Sequence, residues 1–292
     1  MTFSLPVILQ ALASGLMIGG VFALISVGLT LIWGVMKIIN FAHGEFLMIG
    51  LYLAYFLVAK AGMDPYLTVL ITTPALFLVG IAIFQATIRP ILTHPPMNQI
   101  MLTLGVSLIL QNLALVLFKA DVLSIRTEYT GINYTVGGVV VSLTELIAFL
   151  GSIVATAALY YILKTTDMGR WIRASAQNPT AATLMGIDVR FTYLLAFGIG
   201  SACLGVAASL LMPFYYTSPT VGLFLGLIAF VVVVLGGMGN FLGVFIAGLI
   251  IGLTESLGAA IMPGSLSRVF TFGIFVLFLL FKPQGILSRR QT

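Results

Sequence analysis

The sequence predicts an all-α protein: a polytopic transmembrane helical bundle of eight or nine spans, with a short helix in one polar loop. Three observations predict it. Hydrophobic residues make up 60% of the 292 residues and charged ones only 7%, against about 25% charged in an average soluble domain, so a soluble fold of this size could not cover itself. Mean hydropathy is +1.18. Apolar stretches run to the ~20 residues that one helix needs to cross the hydrocarbon, and a run such as 67–86 lacks the alternation of a transmembrane β-strand.

Polar breaks place spans near 7–33, 41–59, 66–88, 98–118, 136–163, 191–214, 222–237, 240–262 and 268–281 within one domain, 1–292. The first span has no charge before Lys37; a cleavable signal peptide needs a basic start, so this helix is expected to act as an uncleaved signal. Glycines at 15, 19, 20, 28 and 34 in or just after it, and at 243, 248, 252 and 258 in the eighth, predict close helix packing, because small residues let backbones approach where lipid gives no hydrophobic drive between helices. The fifth span carries Glu145 and the sixth the lone Cys203, which excludes an internal disulfide and a cysteine-based metal cluster. The seventh is short and adjoins Gly236, Gly237 and Gly239. It therefore reads as a broken or re-entrant segment, which leaves the count at eight or nine. A faint echo links Asn40-Phe41 with Asn240-Phe241, each opening a helix, and is too short to establish a repeat.

The net charge of +5 does not mark a nucleic-acid binder, since Lys and Arg lie scattered at span ends. If the loop 164–190 is cytoplasmic, alternation puts nine of the 13 basic residues inside, including Arg289 and Arg290. Lys60, Lys119, Arg126 and Arg268 fall outside. The expected orientation is an outside N-terminus and an inside C-terminus.

Polar residues within the apolar spans are the candidate sites. Asn40-Phe41-Ala42-His43-Gly44-Glu45 opens the second span. Asn40 suits an N-cap, His43 falls at the third helical position, and Glu45 sits where the positive end of the helix dipole favours a carboxylate. The same residues also suit a helix terminus that faces a translocation path. Glu255, between Thr254 and Ser256, is an intramembrane carboxylate, read either as a path residue or as a group held near an interface. Gly236 and Gly237 complete the candidate path or gate. His43 and His94 are the only histidines and have no clustered partners, so no metal site is expected. No Walker A, HExxH or GxSxG motif occurs, and no catalytic group or cofactor is assigned.

The loop 164–190 is a polar island holding Lys164, Asp167, Arg170, Arg173, Asp188 and Arg190. Within it Asn178 predicts a cap, Pro179 a first helical position and Gly186 a stop, so about two turns of helix run between them. So short a helix is unstable alone and needs something to dock against.

These residues carry a family resemblance. Gln177-Asn178-Pro179-Thr180-Ala181-Ala182, followed by Leu184-Met185-Gly186-Ile187-Asp188-Val189, resembles the coupling segment of branched-chain amino acid ABC importer permeases of the LivH type. Asn40 to Glu45 is similar to that family's N-terminal signature, and 235–240 with Gly243 and Gly248 to its glycine-rich segment. Lys282-Pro283-Gln284-Gly285-Ile286-Leu287 resembles its usual ending. The resemblance implies a subunit of the bacterial inner membrane, partnered by a second, related permease, two cytoplasmic ATP-binding subunits and a periplasmic solute-binding protein. It makes Asn178, Pro179, Ala182, Leu184, Gly186 and Asp188 the ATPase-coupling residues and implies a branched-chain or related hydrophobic amino acid as solute.

Urea, short amides and other small solutes remain alternative cargo, because selectivity in such systems lies largely in the binding protein and the sequence shows no charge cluster that would fix a zwitterion. A self-sufficient secondary transporter or channel would need an ion relay, with Glu255 and Glu145 as its available carboxylates. An intramembrane enzyme would need paired catalytic groups that this inventory scarcely supplies.

Overall fold

A computed structural model describes residues 5–262, 266, 268–282, 285 and 286. The ending from Pro283 to Leu287 is thus described only at Gly285 and Ile286, and Arg289, Arg290 and the Arg268 side chain lie outside the described residues.

The chain runs α1 (Leu5–Met36), α2 (His43–Ala61), α3 (Val69–Ile91), α4 (Pro96–Phe118), a hairpin of β1 (Asn133–Val136) and β2 (Val139–Ser142), α5 (Leu143–Thr165), α6 (Asp167–Gln177), α7 (Pro179–Leu184), α8 (Val189–Leu211), α9 (Val221–Gly236), α10 (Phe241–Ile261) and α11 (Arg268–Phe281). Among the described residues seven helices are long and apolar enough to cross a membrane, and the ninth and eleventh are shorter apolar ones. The helices crossing between the two ends agree with the expected spans within a few residues, save the fifth. There β1 and β2 occupy the start of the expected 136–163, so α5 begins at Leu143 and Glu145 stands in its first turn at the end of the bundle.

α1 is the axis. Its 32 residues give about 48 Å of helix, and from Val21 to Ile32 every side chain is buried. Glycines set how closely its neighbours approach. α10 lies antiparallel along it: a Cβ at Gly15 would stand 2.8 Å from the Leu253 Cα, one at Gly19 2.9 Å from that of Leu249, and one at Gly248 2.6 Å from that of Ala23. α3 and α8 pair antiparallel through hydroxyls. Thr72 Oγ1 donates to the Gly205 carbonyl (2.9 Å) and lies 2.7 Å from Ser209 Oγ, which also accepts from Thr68 Oγ1 at 2.9 Å. Each such bond contributes about 0.6 kcal/mol inside a membrane.

These pairings give the bundle two ends. The hairpin end holds Leu5, Ala61, Phe118, Leu143 and Leu211; the loop end holds Met36, Ile91, Thr165, Val189 and Gly236. At the hairpin end Gln10 of α1 acts as a strand edge for β2, its Nε2 donating to the Val140 carbonyl and its Oε1 accepting from the Val140 N–H, both at 2.8 Å.

α9 is the short seventh span, which the sequence reads as broken or re-entrant. Its 16 residues span about 24 Å, less than the ~30 Å of hydrocarbon. Thr217, ahead of it, pairs with Leu123 beyond the end of α4, while Gly236 meets Val244 at the start of α10 and Ile286 donates to the Leu235 carbonyl at 2.9 Å. The segment 212–236 therefore passes from the hairpin end to the loop end, with an irregular stretch replacing the first turns of helix. The protein is a multi-pass membrane bundle, with seven helices long enough to cross and two shorter apolar ones among the described residues.

Candidate functional site

Two places carry candidate residues: the surface at the loop end and the bundle interior where α2 begins.

At the loop end, Asn178 Oδ1 accepts from the Ala181 N–H at 3.0 Å and Pro179 opens α7. Gly186 stops it with φ +83°, a left-handed conformation that lets Ile187 N–H reach the Ala182 carbonyl at 3.0 Å. Asp188 Oδ1 then accepts from the Phe191 N–H at 3.0 Å and so caps the next spanning helix, α8. One cap follows the other within two residues of the stop, which ties α7 to a spanning helix with little slack. Ala182 faces inward, while Leu184 and Met185 are 84% and 82% exposed. Of the six residues expected to couple, five shape the helix and only Leu184 is an outward apolar knob; Met185, its neighbour, completes that knob.

The first half of the loop is also ordered. α6 is amphipathic, capped by Thr166 Oγ1 accepting from the Gly169 N–H at 3.2 Å, and it buries Ile172 and Ser175. Arg173 donates to the Leu163 carbonyl in the last turn of α5, while Arg170 pairs with Asp167 on the exposed side at 2.6 Å. Sequence reading missed this helix because its polar residues mask the spacing of its buried ones.

Inside the bundle, the chain reverses after α1 through Lys37 at φ +58°, and α2 begins beside the middle of α1. Asn40 does not cap it. Its Oδ1 accepts from the Ala42 N–H at 3.1 Å in a local turn, and α2 starts two residues later than expected. The turn wins because Oδ1 is taken two residues on, before the helix begins. Asn240 keeps the capping geometry instead, accepting from the Gly243 N–H at 3.1 Å, so the echo between the two Asn-Phe pairs is not structural. His43 and Glu45 are each 1% exposed. His43 Nε2 lies 3.0 Å from the Ile25 carbonyl of α1, and Ser107 Oγ of α4 donates to Glu45 Oε1 at 3.2 Å. Asn40 Nδ2, His43 Nδ1 and Glu45 Oε2 find no hydrogen-bond partner among the described residues.

α9 also begins here. It runs antiparallel to the start of α2, with Phe41 stacked on Phe230 at 5.9 Å and Gly44 set against Gly222 and Gly226. A Cβ at Gly222 would meet Glu45 Oε2 first and stand 2.8 Å from Glu45 Cδ. A carboxyl thus lies on the N-terminus of a second helix, whose first-turn N–H groups lack intrahelical acceptors and carry positive partial charge. Towards the hairpin end an almost wholly apolar groove of about 370 Å³ opens between α2 and α4, its walls including Met48, Ile49, Tyr52, Leu110 and Ala114.

The other expected path residues lie elsewhere. Gly236 and Gly237 form the turn from α9 into α10, at the level of Gly34 on α1, and Glu255 is half-buried near Gly15, whose Cβ would meet Ser256. With Ile25 as the reference, those levels lie about 14 Å and 15 Å away in opposite directions along α1. Ser107, Gly222 and Gly226 were not singled out from sequence; the Gly222-xxx-Gly226 spacing was the available signal.

A family model described as the permease component of branched-chain amino acid transport systems matches residues 11–279. The chain is 33% identical to the high-affinity branched-chain amino acid transport system permease protein BraD of Pseudomonas aeruginosa, over 97% of each chain. It is 31% identical to LivH of Escherichia coli K12, named in the same words, over 97% of this chain and 96% of that one. A probable branched-chain amino acid transport permease protein LivH of Methanocaldococcus jannaschii is 30% identical over 94% and 91%. No solved structure matches the chain.

Proposed function

The chain belongs to the permease component family of branched-chain amino acid transport systems, and from that premise we propose that it forms half of the transmembrane path of a bacterial ABC importer for branched-chain or related hydrophobic amino acids. A second, related permease supplies the other half, two cytoplasmic subunits hydrolyse ATP, and a periplasmic binding protein delivers the solute. The relatives' names support the solute class. The loop end is cytoplasmic and the N-terminus periplasmic. Supporting this, the loop end carries Lys37, Arg89, Lys164, Arg170, Arg173, Arg190 and Lys282 among the described residues, and the hairpin end Lys60, Lys119 and Arg126.

The observation that carries the reading is α7. A helix of six residues, capped at both ends and bearing Leu184 and Met185 in the open, is a docking knob awaiting a groove. An ATPase subunit closing on ATP would pull it, and the Asp188 cap would pass the pull into α8. The test is purification of the tagged permease from cells expressing its neighbouring transport genes, followed by leucine uptake. The wild type is expected to bring down two ATPase subunits, and Leu184→Asp with Met185→Asp to lose them and uptake together. Retention of both by that double variant would overturn the coupling role.

A further inference from the structure

In the bundle interior, the Glu45 carboxyl near the start of α2 and the N-terminus of α9 face one another, and the apolar groove begins one turn further on. On an α-helix, residues three, four and seven apart share a face. Glu45, Met48, Ile49 and Tyr52 therefore form one strip on α2, and Ser107, Leu110 and Ala114 form the matching strip on α4. The order along both strips is a buried polar group, the Glu45 carboxyl on α2 and the Ser107 hydroxyl on α4, then an apolar wall.

We propose that this is a binding station for an α-amino acid in transit: Glu45 receives the ammonium group, the first-turn N–H groups of α9 around Gly222 receive the carboxylate, and the groove beyond Glu45 receives the apolar side chain. The station rests on the transport reading above and names the chemistry by which this chain recognises the cargo. A zwitterion with an apolar side chain needs an anion, a cation-like donor set and an apolar wall within one molecule's reach. Glu45, the α9 terminus and the Met48–Leu110 groove supply all three. Glu45 itself rests on the α9 terminus here, 2.8 Å being the distance from its Cδ to a Cβ built at Gly222. The carboxyl thus occupies the place of the cargo carboxylate, and the contact closes the station until α9 parts from α2. Parting needs little rearrangement, because the two backbones meet through Gly44 against Gly222 and Gly226, and the side chains to disengage are the Glu45 carboxyl and the Phe41–Phe230 ring pair. His43 Nδ1 and Asn40 Nδ2, buried and without a hydrogen-bond partner among the described residues, belong to residues just ahead of Glu45 in the chain.

The test uses the complete importer in proteoliposomes with its binding protein and radiolabelled leucine, comparing wild type with Glu45→Gln and Glu45→Asp. Gln keeps the shape and loses the charge; Asp keeps the charge one methylene shorter. In complexes of wild-type subunit composition, Gln is expected to slow uptake about tenfold or more, the loss that follows removal of a charge-assisted hydrogen bond, and Asp is expected to retain more uptake than Gln. A role in packing alone gives the opposite rank, and wild-type uptake by Gln or uptake greater in Gln than in Asp overturns the proposal. A second measurement on the unmodified complex does not depend on a variant folding. During ATP turnover, modification of Glu45 by a hydrophobic carbodiimide is expected to be slowed by leucine and not by isocaproate, which lacks the amino group. Equal modification with and without leucine overturns it. Wild-type complexes that move no hydrophobic amino acid would instead refute the transport reading, and this proposal with it, before any variant is compared.

Discussion

Glu45 and Gly222 share a single contact: the carboxyl of one lies where the side chain of the other would begin, with Glu45 Cδ 2.8 Å from a Cβ built on Gly222. Any residue larger than glycine at 222 must displace either the carboxyl or the backbone of α2 at Gly44. Gly222→Val is therefore expected to cost about 1–3 kcal/mol, the usual penalty of overpacking. Thermal unfolding of the purified protein in detergent checks this, with a lowered midpoint expected for Val and a smaller drop for Ala.

Asn178 caps α7 through a 3.0 Å bond to the Ala181 N–H, and a lost N-cap costs about 1 kcal/mol. Asn178→Ala should speed amide exchange across 179–185 about fivefold, while Asn178→Asp should leave it nearly unchanged. Gly186→Val should act from the other end of the helix, since a β-branched residue at φ +83° is strained by about 1–3 kcal/mol. Exchange mass spectrometry on that peptide reads both.

Gln10 makes two hydrogen bonds of 2.8 Å to the Val140 backbone, each contributing about 1 kcal/mol. Gln10→Leu should release the β-hairpin from α1 without unfolding the bundle. Faster exchange at 138–142 with an unchanged thermal midpoint is the expected outcome.

Tyr129 donates its hydroxyl to Asp64 Oδ2 at 2.7 Å. That bond, followed by the charge of Asp64 itself, raises the phenol above its ordinary value. A raised value means that folding favours the protonated phenol. The tie is complete below the unfolded value of about 10 and is lost as pH rises through the raised folded one. Ultraviolet titration should show a tyrosine ionising late, and Asp64→Asn should bring it back among the others.

How much was legible follows the distance over which each feature is made. The helix after Asn178 could be read because its cap, its proline and its stop each act on backbone groups within a few residues of themselves, and the structure puts them at Asn178, Pro179 and Gly186. The fifth span was overextended because Val139, Val140 and Val141 are as apolar in a hairpin as in a helix. Asn40 was misread as a cap, since the same oxygen can serve an N–H two residues on. Glu45 was legible as a candidate, but its surroundings were not.

Hydropathy and local hydrogen-bond chemistry were enough to specify a multi-pass α-helical bundle, the position of nearly every helix and the capped knob on its polar loop, because each depends on residue type and short-range spacing. Only the tertiary structure brought Glu45 of α2 to the beginning of α9. A helix terminus carries no residue letter, and it comes beside that carboxyl only where glycines let two distant helices start side by side in the membrane interior.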